Sequence, residues 1–300
     1  MTQHNRLKNS NKASAAKLLA TLAFILSLIA GPSPSSAETL TKQAIAYELY
    51  AGGINAVQAN MHLSYQPGAK YGVMLQAKTQ GFLGKLVPWH GSFETYGWAK
   101  DKSDKPEQHQ SISVWRDEEE IKTYSYGKDG KFKSLTITED SIDKSPKDLP
   151  QDLVDQSTDA MTAALQAMKE VAAGQKCEGS SEVFDGKRRF TMKFTHVEDV
   201  ELKRTRYNIY EGSASKCIVE VLPLTGAWHK KPRGWLSIQE QGRDKGTMPT
   251  LWLAKVIEGA PAIPVKMQIK TNYGTLFMHM TKHEYTSGPQ DIATASEKDK

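Results

Sequence analysis

Val57-Gln58-Ala59-Asn60-Met61-His62-Leu63-Ser64-Tyr65 alternates apolar and polar residues over nine positions. Side chains of a strand point to opposite faces in turn. The stretch therefore predicts a half-buried antiparallel strand, with Val57, Ala59, Met61, Leu63 and Tyr65 inward and the polar residues outward. Gly52-Gly53 separates it from an earlier strand around Ile45, Tyr47 and Leu49, which makes a hairpin. Gln66-Pro67-Gly68 turns the chain into a third strand, where Tyr71, Val73, Leu75 and Ala77 share a face.

The same rhythm predicts strands around Phe93 to Ala99, Ser111 to Arg116, Glu120 to Tyr126 and Phe132 to Thr138. Lys100 to Gln110 reads as a solvated linker, Asp117 to Glu120 as a turn and Ser141 to Asp152 as a loop. Beyond the Asp185-Gly186 turn, Phe190, Met192 and Phe194 alternate with polar partners. Further strands are expected at Arg204 to Tyr210, Cys217 to Leu222, Leu251 to Ile257, Val265 to Thr271 and Thr275 to Tyr285.

One segment breaks the period of two. Met161, Ala164, Leu165, Met168, Val171 and Ala172 recur at helical spacing before Gly174, which predicts a helix from Thr158 to Ala173. Ser157 or Thr158 can cap it, and Asp159 favours its N-terminal end. About a dozen strands and one main helix give an all-β chain. A single antiparallel sheet of that size curls into an open or incompletely closed β-barrel, with the helix on or in the concave face.

Ahead of the strands, residues 1–37 combine Arg6, Lys8, Lys12 and Lys17 with the apolar run Leu18 to Ala30 and the small residues Ser35-Ser36-Ala37. That pattern is an export signal, with cleavage expected between Ala37 and Glu38. The 13-residue apolar run is short of the ~20 residues a spanning helix needs. No later stretch reaches that length, so no transmembrane span is expected after cleavage and the mature chain is placed in a periplasm. The domain assignment is then signal 1–37, open barrel 38–287 and a frayed tail 288–300. Of 39 Lys and Arg, 35 remain after cleavage against 34 Asp and Glu, a balance that argues against nucleic-acid binding.

Cys177 and Cys217 are the only cysteines. In an oxidising compartment an even pair is expected to bridge, and closing a 40-residue separation stabilises by about 4 kcal/mol on the loop-closure model. Two buried thiols are the other reading. Neither cysteine lies in a Cys-x-x-Cys motif, which disfavours a catalytic dithiol.

The search for chemistry finds little. His279 and His283 would share a helix face, but on a strand they stand ~13 Å apart, too far for one metal. His-Glu-x-x-His, Gly-x-Ser-x-Gly, the phosphate-binding loop and the dinucleotide fingerprint are all missing, so no catalytic residue, metal or cofactor is assigned. Lys187-Arg188-Arg189 reads as an exposed strand start. Trp228 and Trp235 flank Lys230, Lys231 and Arg233, a composition suited to an anionic ligand or membrane surface; alternatively the indoles fold back onto the sheet. Met61, Met192, Phe194, Met267, Met278 and Met280 fall in predicted strands. Together they could line a concavity for apolar ligands, or simply fill the core.

The order of short motifs resembles a known family. Ala46-Tyr47-Glu48-Leu49-Tyr50-Ala51-Gly52-Gly53 opens the pattern, Thr158-Asp159-Ala160 begins the helix, and Cys177 precedes Val183-Phe184-Asp185-Gly186-Lys187-Arg188-Arg189-Phe190. Cys217 ahead of Val221-Leu222-Pro223-Leu224-Thr225-Gly226, then Pro264-Val265 and Tyr273-Gly274, complete it. The chain resembles bacterial domain-of-unknown-function family 3108. The resemblance implies an exported envelope protein with a curled, incompletely closed sheet, similar to the open barrels of the lipoprotein-carrier group and to β-spiral proteins linked to envelope integrity. It carries no catalytic residues.

The leading expectation is a non-enzymatic periplasmic protein that binds an apolar or amphipathic envelope component, a lipid or lipoprotein-like ligand, and supports envelope integrity. The alternative is an interaction module that docks on an envelope protein through a sheet edge, its core packed. An envelope hydrolase is the third.

Overall fold

Alternating polarity becomes fourteen strands in the computed structural model, which describes residues 39–232, 235–272 and 274–288. The expected cleavage bond between Ala37 and Glu38, Arg233, Tyr273 and the tail beyond Gly288 lie outside the described residues. The first half of the chain runs through β1 (Leu40–Ala51), β2 (Ile54–Tyr65), β3 (Lys70–Thr79), α1 (Gly81–Leu86), β4 (Trp89–Trp98), β5 (Lys105–Trp115), β6 (Glu118–Tyr126), β7 (Phe132–Glu139) and β8 (Ile142–Asp143). Two helices follow, α2 (Gln151–Val154) and α3 (Ala160–Ala172). The second half holds β9 (Gly179–Phe184), β10 (Arg188–Leu202), β11 (Gly212–Gly226), α4 (Trp235–Asp244), β12 (Thr250–Ala254), β13 (Ile263–Thr271) and β14 (Gly274–Gly288).

All fourteen strands belong to one antiparallel sheet. β1 pairs with β2 on one side and with β14 on the other, so the sheet runs from β8 back to β1, then from β14 back to β9. Its two edges, β8 and β9, are therefore consecutive strands of the chain. The segment joining them contains α2 and α3.

The packing of α3 requires the sheet to curl. The helix contacts β4, β9, β10 and β12. β4 and β12 stand six places apart in the strand order. At ~4.8 Å per strand a flat layer would separate them by about 29 Å, whereas a helix is only about 10–12 Å across. One helix can touch both only if the sheet wraps round it. Its Leu165, Ala167, Met168 and Val171 share a buried cluster with Ile45, Met61, Val73, Phe194, Leu253 and Val265 of the strands.

Side chains join β9 to β6, two strands in from the other edge. Tyr124 of β6 packs edge-on to Phe184 of β9, with ring centroids 6.1 Å apart, and Leu153 and Val154 of α2 complete that cluster. Lys187 Nζ reaches Glu120 at 3.5 Å. Thr158 gives β9 a backbone partner: its amide donates to the Glu182 carbonyl at 2.8 Å, and the Phe184 amide donates to its carbonyl at 3.0 Å. The barrel is thus incompletely closed, with the predicted helix on its concave face.

Several local expectations need correction. Lys100 to Gln110 is not all linker, because β5 starts at Lys105; Pro106 is accommodated at a bulge opposite Gly97, where a Cβ would overlap the Lys105 carbonyl. Arg204 to Tyr210 is not a strand. There Thr205 Oγ1 accepts from the amides of Tyr207 and Asn208, and Asn208 Oδ1 from that of Tyr210, so side chains take donors that a neighbouring strand would use. The acidic turn narrows as β6 starts at Glu118, and the Ser141 to Asp152 loop holds β8 and the start of α2. Helices α1 and α4 were not expected. The cap of α3 is Asp159, not Ser157 or Thr158.

Cys177 and Cys217 form a disulfide, which ties the chain just beyond α3 to β11. Replacing both by serine is expected to lower the unfolding free energy by about 4 kcal/mol. A urea titration showing an unchanged midpoint would remove the bridge as a support of α3.

Candidate functional site

The anchor of α3 is a buried polar cluster. Asp159 Oδ1 accepts hydrogen bonds from the amides of Met161 and Thr162 at 2.9 and 3.0 Å and from Thr95 Oγ1 at 2.8 Å, while Oδ2 accepts from Thr162 Oγ1 at 2.5 Å. Thr95 Oγ1 lies 2.7 Å from His109 Nδ1, and the Tyr71 hydroxyl 2.7 Å from Thr162 Oγ1. One carboxylate thus caps the helix and fastens it to β4 directly, to β5 through Thr95 and to β3 through Thr162. At the other end Lys169 Nζ donates to Asp104 Oδ1 and to the Lys100 carbonyl. Burial lifts the Asp104 carboxyl above its ordinary pKa despite that cation.

Threonine, histidine and aspartate also make up nucleophile–base–acid sites, but Thr95 is 0% and Asp159 1% exposed, sealed beneath the helix. Their arrangement suits anchoring. The cluster is not legible in the sequence because Thr95, His109 and Asp159 are 14 to 64 residues apart and unremarkable singly.

Register across the concave face shows where burial is incomplete. Met280, Tyr47 and Ala59 lie side by side and are buried. One step toward the β1–β2 turn, Leu251, Met267, Met278, Leu49 and Val57 form a row across five strands, and all five are only half-buried. Met192, Leu75 and Ala77 extend this partly covered apolar surface. Of the six residues expected to line a concavity, Met61, Phe194 and Met280 are therefore core beneath α3, while Met192, Met267 and Met278 sit where the cover is incomplete.

The same end of the barrel carries an apolar rim. In a meander alternate connections share an end, which brings together the β1–β2 turn, α1 and the β5–β6 turn. The Gln80 side chain donates to Asn55 Oδ1 at 2.6 Å, and the Arg116 amide to the Pro88 carbonyl at 2.9 Å, tying the three connections side by side. Ile54, Phe82, Leu86 and Trp115 project there at 60, 68, 55 and 48% exposure. α1 buries none of its residues. Such an apolar cluster on a surface needs a reason. Arg116, Asp117 and Glu118 follow Trp115, and α1 carries Lys85.

The β11–β12 connection, with Trp228 and Trp235, leaves from this end too. Trp228 packs edge-on to Phe190, donates from Nε1 to the Thr225 carbonyl at 2.9 Å and lies under the Arg188 guanidinium at 4.9 Å. Trp235 and Leu236 join Phe190 and Val221. Both indoles therefore fold back onto the sheet, leaving Lys230 and Lys231 exposed between them. Gln239 of α4 donates to the Val221 carbonyl and accepts from its amide, standing in for the strand partner that short β12 does not provide.

His279 stacks on Tyr207 and Phe277, while His283 Nε2 lies 3.0 Å from Gln43 Oε1, so the two do not converge. Among the described residues no group of three or more His, Cys, Asp or Glu could hold a metal ion, and no helix is long and apolar enough to cross a membrane.

A single antiparallel sheet rolled round a helix that enters through its own gap defines an incompletely closed β-barrel. Residues 46–281 match the family described as "Protein of unknown function (DUF3108)", and the chain belongs to that family. No curated protein matches it. Among solved structures the chain is similar to a β-barrel-like protein of domain of unknown function DUF1849 from Brucella abortus, at 10% identity and a TM-score of 0.41, over 82% of this chain and 98% of that one.

Asp159→Ala leaves Thr95, Thr162 and two helix amides without their acceptor and is expected to cost about 3 kcal/mol of stability. Burial holds His109 below its ordinary pKa, against the pull of Asp159. The unfolded chain is then the better proton binder, so the His109 contribution is complete above about pH 6.5 and declines as pH falls below it. Denaturation at pH 7.0 and 5.5 should show a smaller acid loss in His109→Gln than in the parent, with a residue from His279 and His283, which burial also lowers. Equal losses would place the acid sensitivity elsewhere.

Proposed function

We propose that this is an exported, non-enzymatic envelope protein that holds an apolar or amphipathic molecule against the part of its concave face that α3 leaves uncovered. The observation that carries the reading is the in-register row Leu251, Met267, Met278, Leu49 and Val57, apolar and half-buried across five neighbouring strands. Methionine side chains adapt to apolar ligands of varied shape, which suits lipid chains. The rim of Ile54, Phe82 and Leu86 supports the same reading, since it continues the apolar surface outward and lets the mouth rest on a bilayer. Lys85, Lys230 and Lys231 at that end favour anionic headgroups. Localisation follows the export signal: a periplasm, with the β-fold starting at Leu40, directly beyond the expected cleavage bond.

The docking alternative needs a free strand edge or an apolar patch, and the rim of Ile54, Phe82, Leu86 and Trp115 is such a patch. β8 is two residues long, and β9 already bonds Thr158, so the edges offer little backbone to a partner strand. The hydrolase reading gains nothing from Thr95, His109 and Asp159, which are buried beneath the helix.

Protein purified without detergent and extracted with organic solvent is expected to yield a bound lipid or amphiphile by mass spectrometry. Met278→Glu should reduce its amount about tenfold by placing a charge against an apolar chain. An extract without such a molecule favours docking on a protein partner. Phe82→Ser with Leu86→Ser should weaken binding to anionic vesicles more than tenfold; unchanged binding would take the rim out of the membrane contact.

A further inference from the structure

The gap between the sheet edges contains a second, chemically different cavity of about 620 Å³. Its walls are α3 and the connection before it, β9 with Ser180 and Ser181, Arg189 of β10, and the loops that carry Asp104 and Asp129. The volume falls within the range of small-molecule sites. Its lining is hydroxyl, amide and charged groups, the reverse of the concave face.

Charge on the wall is nearly balanced, with three basic and four acidic residues. Much of it is already engaged: Lys131 lies 3.8 Å from Asp129, Arg189 pairs with Glu182, and Asp104 bonds Lys169 behind the wall at 2.9 Å. Neither a phosphate nor a cation finds an excess of opposite charge here.

Hydrogen-bonding capacity, by contrast, is left over. Among the described residues eight buried side-chain nitrogen and oxygen atoms have no partner, and four of them belong to residues that line this cavity, the atoms themselves being turned away from it: Asp104 Oδ2, Thr158 Oγ1, Gln166 Oε1 and Arg189 Nε. Asp104 is only 3% exposed. Unpaired buried polar atoms are rare and costly, and each calls for an account. The four comprise one donor, two acceptors and a hydroxyl that can be either. A matching ligand presents several groups that both donate and accept, spaced over a few ångströms, without net charge.

We propose that this seam cleft binds a saccharide unit, whose hydroxyl groups supply the partners these four atoms lack as the wall side chains turn toward it. The site is independent of the apolar face, and its failure would leave the lipid reading as it stands.

Saturation-transfer NMR tests it, using the purified protein with glucose, N-acetylglucosamine, maltose and chitobiose at millimolar concentration. Transfer to the protons of at least one sugar is expected. Thr158→Val with Gln166→Leu removes two of the four atoms with little change of shape and should weaken the affinity about tenfold. Ser181→Tyr fills the cleft from β9 without touching the four atoms and should abolish transfer, which covers the case in which the double variant does not fold. No transfer from any of the four sugars, or transfer undiminished in Ser181→Tyr, overturns the proposal and assigns the four atoms to water.

Discussion

The edge strands β8 and β9 follow one another in the chain, so the segment between them must cross the gap that their separation creates. A tight hairpin there would have closed the barrel with backbone hydrogen bonds. Instead the chain brings α2 and α3 into the gap, and the polar groups of that crossing must find partners inside a largely apolar shell. Asp159 meets this demand. It receives the first amides of α3 and the hydroxyls of Thr95 and Thr162, and so joins the crossing segment to the far wall. With Lys169 bonded to Asp104 and the disulfide beyond, the helix is fixed at both ends, and its depth in the barrel decides how much of the concave face is covered.

Two surfaces of opposite character follow from that placement. The apolar stripe of α3 faces Met61, Val73 and Val265 and makes the core, against which Leu49, Leu251 and Met278 of the next row pack while staying half-buried. The polar side, with Thr162 and Gln166, looks onto the gap between the edges. One helix thus borders a half-buried apolar row and a hydroxyl-rich cleft. The molecule is packed beneath the helix, and the apolar row beside it is half-buried.

Strong two-residue alternation made β1, β2, β3 and β14 legible from the sequence, because one buried face imposes it on every strand. The stripe of α3 was legible for the corresponding reason. Polar composition hid the start of β5, where Gln108 and Gln110 lie among charged neighbours. α1 was hidden by its two glycines and α4 by a low apolar content, since beyond Trp235 and Leu236 it is held by polar groups such as the amide of Gln239. The indoles at Trp228 and Trp235 showed that a special segment was present without showing which way the rings turn. Asp159 was read as a favourable charge near a helix start. Its role depends on Thr95 and His109, which only the tertiary fold brings to it, and the seam cleft is built from five separate stretches with no local motif at all.

Methionine methyl groups offer the most direct check on the claim that α3 covers only part of the concave face. Methyl NMR spectra of the protein labelled at methionine should be recorded while a lysophospholipid is added below its micelle concentration. Shifts confined to Met192, Met267 and Met278, with Met61 and Met280 unmoved, are the result predicted by a partly covered recess that accepts an acyl chain. A spectrum that does not change, or one in which the core methionines shift equally, would contradict it.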